Sequence, residues 1–358
     1  LWVGSEDGLN QFDPVTGSFT HYRNNPKDPK SLSYNTIHAI YQDRENRLWI
    51  GTLGGGLELF DPATGKFQHF RADATNESSI SSDYVQDILE DAKGNLWVGT
   101  KKGLNYFNPS TRQFQQYLTF NYDETTISDN SVISLLIDSA GRLWIGTEFG
   151  LNRFDETNGA FIRYFSNPLV PDSLSNNAIF SLYEDREGIL WVGTWGGGVN
   201  KHSPAKDKFT LYRYDPENPK SIPAEGVFGI ASDPLGIAWL GSPGGGLTRF
   251  DSVSGQATRY LTDPNDPNSL GSPKVWVVYR DRAGTLWLGT SYGLDQMDER
   301  TGKFIHHRVD KENPDASIRS NFVPQIYESP DGSLWIGTSM GLDRYERSTG
   351  TFTHIVDP

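Results

Sequence analysis

The chain has 358 residues, of which 37 are glycine, 20 are proline and 13% are aromatic, and this composition favours many short strands joined by tight turns. Its formal net charge of −13 argues against binding to nucleic acid or to an anionic membrane surface, because both need a basic face. There is no cysteine, which excludes disulfides, thiolate metal sites and cysteine nucleophiles. No apolar run approaches the roughly 18 residues that a membrane-spanning helix needs, so we expect no membrane contact by this segment.

A four-residue phrase centred on tryptophan recurs along the whole chain. It reads Leu-Trp-Val-Gly at 1–4 and 96–99, and Leu-Trp-Ile-Gly at 48–51 and 143–146. The tryptophans of the phrase follow one another in steps of 47 or 48 residues, and they are Trp2, Trp49, Trp97, Trp144, Trp191, Trp239, Trp287 and Trp335. Because this residue is present in every unit, we predict that it packs between neighbouring units and binds no ligand.

Each repeat unit reads as four short strands. A mostly apolar run such as 85–90 ends at a turn that contains Asp, and the tryptophan phrase forms the second strand. The third strand, as in 56–60, begins after a glycine turn, and the fourth, as in 67–70, is short and aromatic. The units fall at about 1–34, 35–82, 83–129, 130–176, 177–224, 225–272, 273–320 and 321–358. Such units are typical of propeller blades, so we predict an all-β propeller that occupies 1–358 as one domain.

One stretch carries the repeat nearly whole. It reads Leu-Trp-Ile-Gly-Thr, two variable residues, Gly-Leu-Asn-Arg-Phe-Asp and then Thr-x-Gly-x-Phe over 143–161, and Pro-x-Ser-Leu-Ser follows at 171–175. This pattern resembles the two-component-regulator propeller repeat. The resemblance implies a propeller fold and a role as the periplasmic, ligand-sensing region of a hybrid two-component histidine kinase. It also implies that a kinase or cyclase domain, and a homodimer formed through the parent protein, would lie beyond this segment.

The number of blades follows from a count of strands. First strands are predicted at seven places only: 35–42, 83–90, 130–137, 177–184, 225–232, 274–280 and 321–328. Either eight blades close with an incomplete first blade, or seven close and residues 1–23 are left over from a neighbouring propeller. We favour eight, because a displaced three-stranded sheet would expose its apolar face. Since the chain opens inside a repeat at Leu1, we expect it to be part of a longer protein.

Positions that vary between repeats are the functional candidates, and the most variable is the turn between the second and third strands. Its candidate ligand-binding residues are Lys101, Lys102, Glu148, Phe149, Trp195, Tyr292 and Met340. We predict that the aromatic residues and Met340 surround one mouth of the central channel. Aromatic platforms with polar neighbours suit sugar rings or peptide side chains, so the expected partner is an oligosaccharide or a protein. The alternative is that these side chains pack on the next loop.

A second candidate set opens the first strands. Its members are Asn35, Asp83, Asn130, Asn177, Glu225, Pro273 and Asn321. These side chains would face the channel, but we favour a structural role as turn caps because the residue type recurs in most units. Trp276 lies further along the same strand, where it either lines the channel or fills a gap between blades.

The residues for metal or cofactor chemistry do not form a recognisable pattern. The sequence contains neither the ligand spacing of a zinc site nor a phosphate-binding loop, so we predict no metal and no cofactor. His21, His69, His306 and His354 share one place in the outermost strand, which indicates a rim position. The loop 263–268 has Asp and Asn oxygens that could hold calcium, but its prolines and its place in the repeat favour a solvated loop.

Two further functions stay open beside the binding module. A lyase or glycoside hydrolase would act through non-repeated carboxylates such as Glu148 and Glu225, and a glycosidase needs two carboxyls within about 5–10 Å. A purely structural or dimerisation scaffold would need no site. We favour the sensor, in the periplasm or otherwise outside the cytoplasm, because of the family resemblance and the absence of a catalytic set.

Overall fold

The computed structural model of the protein describes residues 1–120, 122–170, 172–203, 208–212, 214, 218, 220–222, 226–233, 237–314 and 316–355. The fold is an all-β propeller, as predicted, with eight sheets that we number as blades 1–8 in chain order. Blade 1 has three strands, and every other blade is a four-stranded antiparallel meander. Among the described residues, no helix has the length and apolar character needed to cross a membrane.

The chain divides into two compact units, and the first comprises residues 1–166 with 177–182. It contains blades 1–4. Their strands are Trp2–Ser5, Gly8–Asp13 and Ser18–Tyr22 (β1–β3), Ile37–Gln42, Leu48–Thr52, Leu57–Asp61 and Lys66–Phe70 (β4–β7), Val85–Glu90, Leu96–Thr100, Gly103–Asn108 and Gln113–Tyr117 (β8–β11), and Val132–Ile137, Leu143–Thr147, Gly150–Asp155 and Ala160–Tyr164 (β12–β15).

The second unit comprises residues 167–176 with 183–358, so the boundary falls within the first strand of blade 5. Blades 5–8 follow. Their strands are Ile179–Glu184, Leu190–Thr194, Gly198–Ser203 and Lys208–Tyr212 (β16–β19), Gly229–Ser232, Ile237–Ser242, Gly246–Asp251 and Gln256–Tyr260 (β20–β23), Val275–Arg280, Leu286–Thr290, Gly293–Asp298 and Lys303–His307 (β24–β27), and Gln325–Glu328, Leu334–Thr338, Gly341–Glu346 and Thr351–Ile355 (β28–β31).

Residues 1–23 form a true blade, so the alternative of seven blades with a leftover segment is wrong. Trp2 packs edge-on against Phe60 of blade 2, with ring centroids 5.2 Å apart. Gly4 lies so close to Ile37 that a Cβ atom would come within 2.6 Å of its side chain. Blade 1 therefore stacks on blade 2 as the later blades of the same unit stack on one another, although its own first strand is missing.

The turn between the first and second strands is tied to the tryptophan that follows it. In blade 2, Asp43 Oδ1 accepts the backbone N–H groups of Glu45 and Arg47 at 3.0 and 2.8 Å, and its Oδ2 accepts the indole N–H of Trp49 at 2.7 Å. The same indole bond, at 2.8 Å, joins Trp144 to Asp138, Trp191 to Asp185 and Trp287 to Asp281. One carboxylate thus fixes the turn and satisfies a buried donor six residues later.

The tryptophans of the repeated phrase pack between neighbouring blades. Trp49 is 1% exposed, and its ring lies 5.4 Å from that of Phe107 in blade 3. Seven of the eight are buried, and Trp2 of the incomplete blade is half-buried. In blade 3 the glycine that ends the phrase allows the next blade to approach, because a Cβ at Gly99 would lie 2.7 Å from Val132 of blade 4. This close approach explains why glycine closes the phrase.

All seven first strands begin later than the sequence suggested, by one or two residues in blades 2–5 and 7 and by four residues in blades 6 and 8. The predicted strands 225–232 and 321–328 are Gly229–Ser232 and Gln325–Glu328 in the structure. In blade 8 the reason is Pro324, which has no N–H to give to the ladder. In four other blades the first strand carries a β-bulge after its first residue, and the bulged residues are His38, Gln86, Ile133 and Trp276.

Histidine–carboxylate pairs hold the loops that join one blade to the next. In blade 2, His69 Nδ1 lies 2.6 Å from Glu58 Oε2, and its Nε2 lies 2.8 Å from the carbonyl of Pro29 in the preceding loop. Because both ring nitrogens face acceptors, Glu58 raises the pKa of His69. The equivalent contacts join His306 to Asp295 and Pro267, and His354 to Asp343 and Pro314. In blade 3 the same two places are held by amides, Asn105 and Gln116.

Candidate functional site

The backbone of the turn after the second strand is fixed by the threonine that ends this strand. In blade 4, Thr147 Oγ1 donates to the carbonyl of Gly150 at 2.7 Å and accepts the N–H of Phe149 at 3.2 Å. The same pair of bonds fixes the turns that carry Lys102, Tyr292 and Met340. In these four blades the turn therefore has the same bonds, while the side chains that it presents differ. The turn that carries Trp195 is one residue longer, and there Thr194 Oγ1 donates to the carbonyl of Gly198 at 3.0 Å.

All seven predicted ligand-binding residues are exposed on these turns. Met340 is 65% exposed, and Phe149, Trp195 and Tyr292 are each more than half exposed. Lys101, Lys102 and Glu148 are exposed as well. The prediction that these side chains bind a ligand is not tested by their exposure, but they are accessible to one.

Two of the aromatic residues stack on the chain segment that leaves the fourth strand of their own blade. The ring of Phe149 lies 5.8 Å from that of Phe165. The guanidinium carbon of Arg308 lies 4.5 Å from the centroid of the Tyr292 ring, a cation–π contact. In both blades the partner follows the turn residue by 16 positions, and in blade 1 the same spacing joins Asp7 to Arg23 in an ion pair of 3.0 Å. This recurring offset is a sequence signal that identifies partners of the turn.

Two other predicted residues point in the opposite direction, toward first strands. The Lys101 ammonium lies 5.3 Å from the centroid of the Tyr84 ring, next to the first strand of blade 3. The Trp195 ring lies 5.6 Å from that of Phe228, which directly precedes the first strand of blade 6. The candidate residues therefore do not share one orientation: some turn side chains lean toward a fourth strand and others toward a first strand.

A row of four aromatic rings runs across blades 5–8 within the second unit. Trp195 contacts Phe228, Phe228 contacts Trp276 at 5.8 Å, and Trp276 contacts Phe322 at 5.9 Å, each pair edge to face. Trp276 stands on the β-bulge of its strand, and its indole N–H donates to Ser291 Oγ at 2.8 Å. We call these four residues the aromatic row. Trp276 therefore contacts a residue of the turn after the second strand, and this hydrogen bond together with the two ring contacts fixes the orientation of the Trp276 ring.

The residues that open the first strands are structural, but through a different contact than predicted. Asn35 Oδ1 accepts the backbone N–H of Asn24 at 2.7 Å, eleven residues earlier, where the chain leaves the fourth strand of the preceding blade. Equivalent bonds are made by Asp83, Asn130, Asn177 and Asn321. Glu225 lies outside the described residues. The side-chain oxygens are thus occupied by chain connections.

One half-buried carboxylate of a first strand has no counterpart at the same position in the other blades. Asp87 in the first strand of blade 3 accepts the N–H of Ile88 at 2.9 Å with Oδ1 and the N–H of Leu135 of blade 4 at 2.8 Å with Oδ2. Burial raises its pKa to about 6. Since both oxygens are engaged by backbone donors, Asp87 joins two blades and is not arranged as a general acid or base.

The Asp and Asn residues of 263–268 form ordinary turns. Asp263 Oδ1 accepts the N–H of Asn265, and Asp266 Oδ1 accepts the N–H of Asn268, both at 2.9 Å. Across the described residues, no cluster of three or more His, Cys, Asp or Glu side chains is placed to hold a metal ion. The carboxylates of this loop stabilise their own turns, as in the equivalent loops elsewhere.

The family of the repeats follows from their sequence and their place in the fold. The two component regulator propeller model matches six segments: 31–54, 79–102, 126–149, 173–196, 269–292 and 317–340. Each segment ends within the turn after a second strand and includes the variable residues of that turn. The protein is a propeller that carries two-component regulator repeats.

Several solved structures are similar to this chain. The extracellular domain of the putative one component system BT4673 from B. thetaiotaomicron is 25% identical over 98% of this chain, with a TM-score of 0.46, and this chain spans 45% of its length. The extracellular domain of the putative hybrid two component system BT3049 from B. thetaiotaomicron is 22% identical over 99% of this chain, with a TM-score of 0.33, and this chain spans 62% of its length. Virginiamycin B lyase from Staphylococcus aureus is 13% identical, with a TM-score of 0.55 over 89% of this chain and 94% of its own, a likeness of fold alone. None of the curated proteins compared with this chain matches it.

Proposed function

We propose that this chain is the ligand-binding region of a sensor protein outside the cytoplasm, and that its ligand is of the glycan type. The observation that carries the proposal is the exposure of Phe149, Trp195 and Tyr292 on turns that the threonine of the second strand closes with a hydrogen bond to a glycine carbonyl. Exposed aromatic rings on a fixed frame can stack against sugar rings with little loss of side-chain entropy. The two-component regulator repeats supply the sensory context.

An enzymatic role has less support from the described residues. Glu148 is exposed on its turn, and the second non-repeated carboxylate considered, Glu225, is outside the described part of the chain. Asp87 is committed to two backbone donors. A glycosidase needs two carboxyls facing each other across a sugar, about 5–10 Å apart, and Glu148 is the one carboxylate among the seven candidate turn residues. The lyase neighbour contributes only its fold.

The test is binding of the purified chain to an array of plant and host oligosaccharides, followed by titration of the best binder. Trp195→Ala should weaken binding by about 2 kcal/mol or more while the melting temperature stays unchanged. The matched control is Val253→Ala, because Val253 is 88% exposed but lies at the other end of the strands, in the turn between a third and a fourth strand. It should leave both quantities unchanged.

The opposite pattern would move the site elsewhere. If Trp195→Ala lowered the melting temperature and left the affinity intact, the ring would be a packing residue of Phe228. Turnover of an oligosaccharide during the titration would favour the enzymatic alternative. If no oligosaccharide on the array binds and the chain instead captures a protein, a glycan is excluded as the ligand class.

A further inference from the structure

Two neighbouring turns of the second unit collect an unusual set of side chains. The turn of blade 7 receives Lys274, whose carbonyl accepts the N–H of Ser291 at 3.1 Å, and Trp276, whose indole donates to the same serine. In the turn of blade 8, the Ser339 N–H donates to the carbonyl of Phe322 at 3.2 Å. Since Trp276 and Phe322 touch, the two turns form one continuous surface.

A guanidinium group stands beside each of these turns. In blades 3 and 4 the corresponding space holds a serine, Ser81 or Ser128, that bonds the threonine of the turn. Blade 7 has Gly271 there, and a Cβ on it would lie 2.8 Å from both Arg308 Nη2 and Asp295 Oδ1, so the missing side chain leaves room for both groups. In blade 8 the residue at this place is itself an arginine, Arg319, with Nη1 3.5 Å from the carbonyl of Met340.

The acidic groups near these arginines are already engaged. Asp295 is fully buried, accepts the N–H of Gly271 at 2.8 Å, and pairs with His306, whose pKa it raises. Asp295 is therefore already engaged by His306 and by the backbone of Gly271. Within the described residues, Lys274 and Arg308 have no carboxylate within 4 Å, and Arg308 Nε is buried without a hydrogen-bond partner.

Blade 8 and the adjoining loop follow the same pattern. Asp343 contacts His354 at 2.7 Å and lies 3.9 Å from Arg319 Nε. Asp310, two residues after Arg308, accepts from the Asn313 side chain and is followed by Lys311. The surface formed by Lys274, Trp276, Tyr292, Arg308, Arg319 and Phe322, which we call the basic aromatic patch, is thus positive in a chain whose net charge is −13.

We infer that the ligand of this protein is an acidic oligosaccharide, which bears carboxylate or sulfate groups, and that it binds at the basic aromatic patch. The inference rests on the proposed function and specifies the charge and place of its ligand. Guanidinium groups pair with carboxylates and sulfates through charge-assisted hydrogen bonds, and the Arg308 guanidinium carbon lies 4.5 Å from the centroid of the Tyr292 ring. Trp276 and Phe322 offer ring surface beside these charges for the apolar faces of sugars.

The test compares acidic oligosaccharides with neutral versions of the same backbone: oligogalacturonate with its methyl ester, and chondroitin sulfate fragments with desulfated ones. At least one acidic member should bind ten times more tightly than its neutral form or better, and added salt should weaken it. Arg308→Gln and the surface variant Lys274→Gln should each lower that affinity about five- to tenfold. Arg300→Gln is the control, because Arg300 is exposed in a turn at the other end of the strands of blade 7.

The outcomes separate this inference from the proposed function. The inference of an acidic ligand is overturned if acidic and neutral forms bind with equal affinity. It is also overturned if Arg308→Gln and Arg300→Gln lose the same amount of affinity for the acidic form. If neutral glycans bind and Trp195→Ala weakens them while no acidic glycan binds, the sensor proposal stands and the inference falls. If no oligosaccharide binds but a polyglutamate peptide does, the glycan class and the inference fall together. The melting temperature of each variant shows whether it is folded.

Discussion

Trp144→Phe should destabilise the protein chiefly by removing one hydrogen bond from a buried carboxylate. Trp144 is fully buried, and its indole Nε1 donates to Asp138 Oδ2 at 2.8 Å. Phenylalanine keeps most of the aromatic packing and lacks this donor. Asp138 would keep Arg142 Nε at 2.6 Å on Oδ2 and two backbone donors on Oδ1, so it loses one partner of several.

The magnitude follows from the charge of the acceptor. A hydrogen bond to a charged group contributes about 1.5–3 kcal/mol, whereas a neutral one contributes about 0.5–1.5 kcal/mol. Trp335→Phe is the matched comparison, because Trp335 is equally part of the repeated phrase but donates to the hydroxyl of Ser329 at 3.1 Å. Trp144→Phe should therefore lower the free energy of unfolding by about 1 kcal/mol more than Trp335→Phe. Trp144→Ala, which removes the packing too, should cost about 3–5 kcal/mol.

The assay is equilibrium unfolding in urea, followed by circular dichroism and by tryptophan fluorescence. Repeat proteins can unfold in steps, so the two signals must give coincident transitions before free energies are compared. Equal losses for Trp144→Phe and Trp335→Phe, or a larger loss for the second, would refute the reasoning that the turn carboxylate stabilises the blade through the indole.

Two other predictions concern loop attachment and blade spacing. The raised pKa of His306 means that its pairing with Asp295 stabilises the fold fully below about pH 6.5, the ordinary value, and that this contribution is lost as the pH rises through the folded-state pKa. Melting temperatures between about pH 5.5 and 8.5 should fall less steeply in the double variant Asp295→Asn with His306→Gln, which copies the amide pair of blade 3; an unchanged slope would contradict this. Gly99→Ala should cost about 1–3 kcal/mol by pushing Val132 away. Gly337→Ala, whose Cβ would meet nothing closer than 3.3 Å, should cost less by urea unfolding.

The blade architecture is predictable because its determinants are local. The Asp of the first turn, the tryptophan six residues later and the glycine of the next turn each act within one hairpin, as Asp43 and Trp49 show. The starts of the first strands are less predictable. The start of a first strand depends on where the neighbouring blade allows pairing and on the β-bulges. No residue pattern predicts these bulges, as the bulge at Trp276 shows.

The site is predictable in its location but not in its composition. Phe149 and Trp195 stand out in the sequence as large residues on variable turns, and the structure exposes both. Phe322 does not stand out, because its role arises from contact with Trp276 of another blade. The partners of the turns could have been found from the constant offset of 16 residues that joins Phe149 to Phe165, a signal that is visible only once the repeats are aligned on one another.

The arginines of blades 7 and 8 show that equivalent space need not be filled from equivalent sequence. Arg308 enters the space beside its turn from the end of a fourth strand, whereas Arg319 enters the same kind of space from the loop before a first strand, at the place where blade 7 has Gly271. If the repeats are aligned on one another by sequence, Arg308 and Arg319 fall at different positions of the alignment and are not recognised as equivalent. As such repeats diverge, a charged group can therefore shift to another position of the sequence repeat and still occupy the same place in the blade. Sites in different repeats are better compared in three dimensions than in sequence alignments.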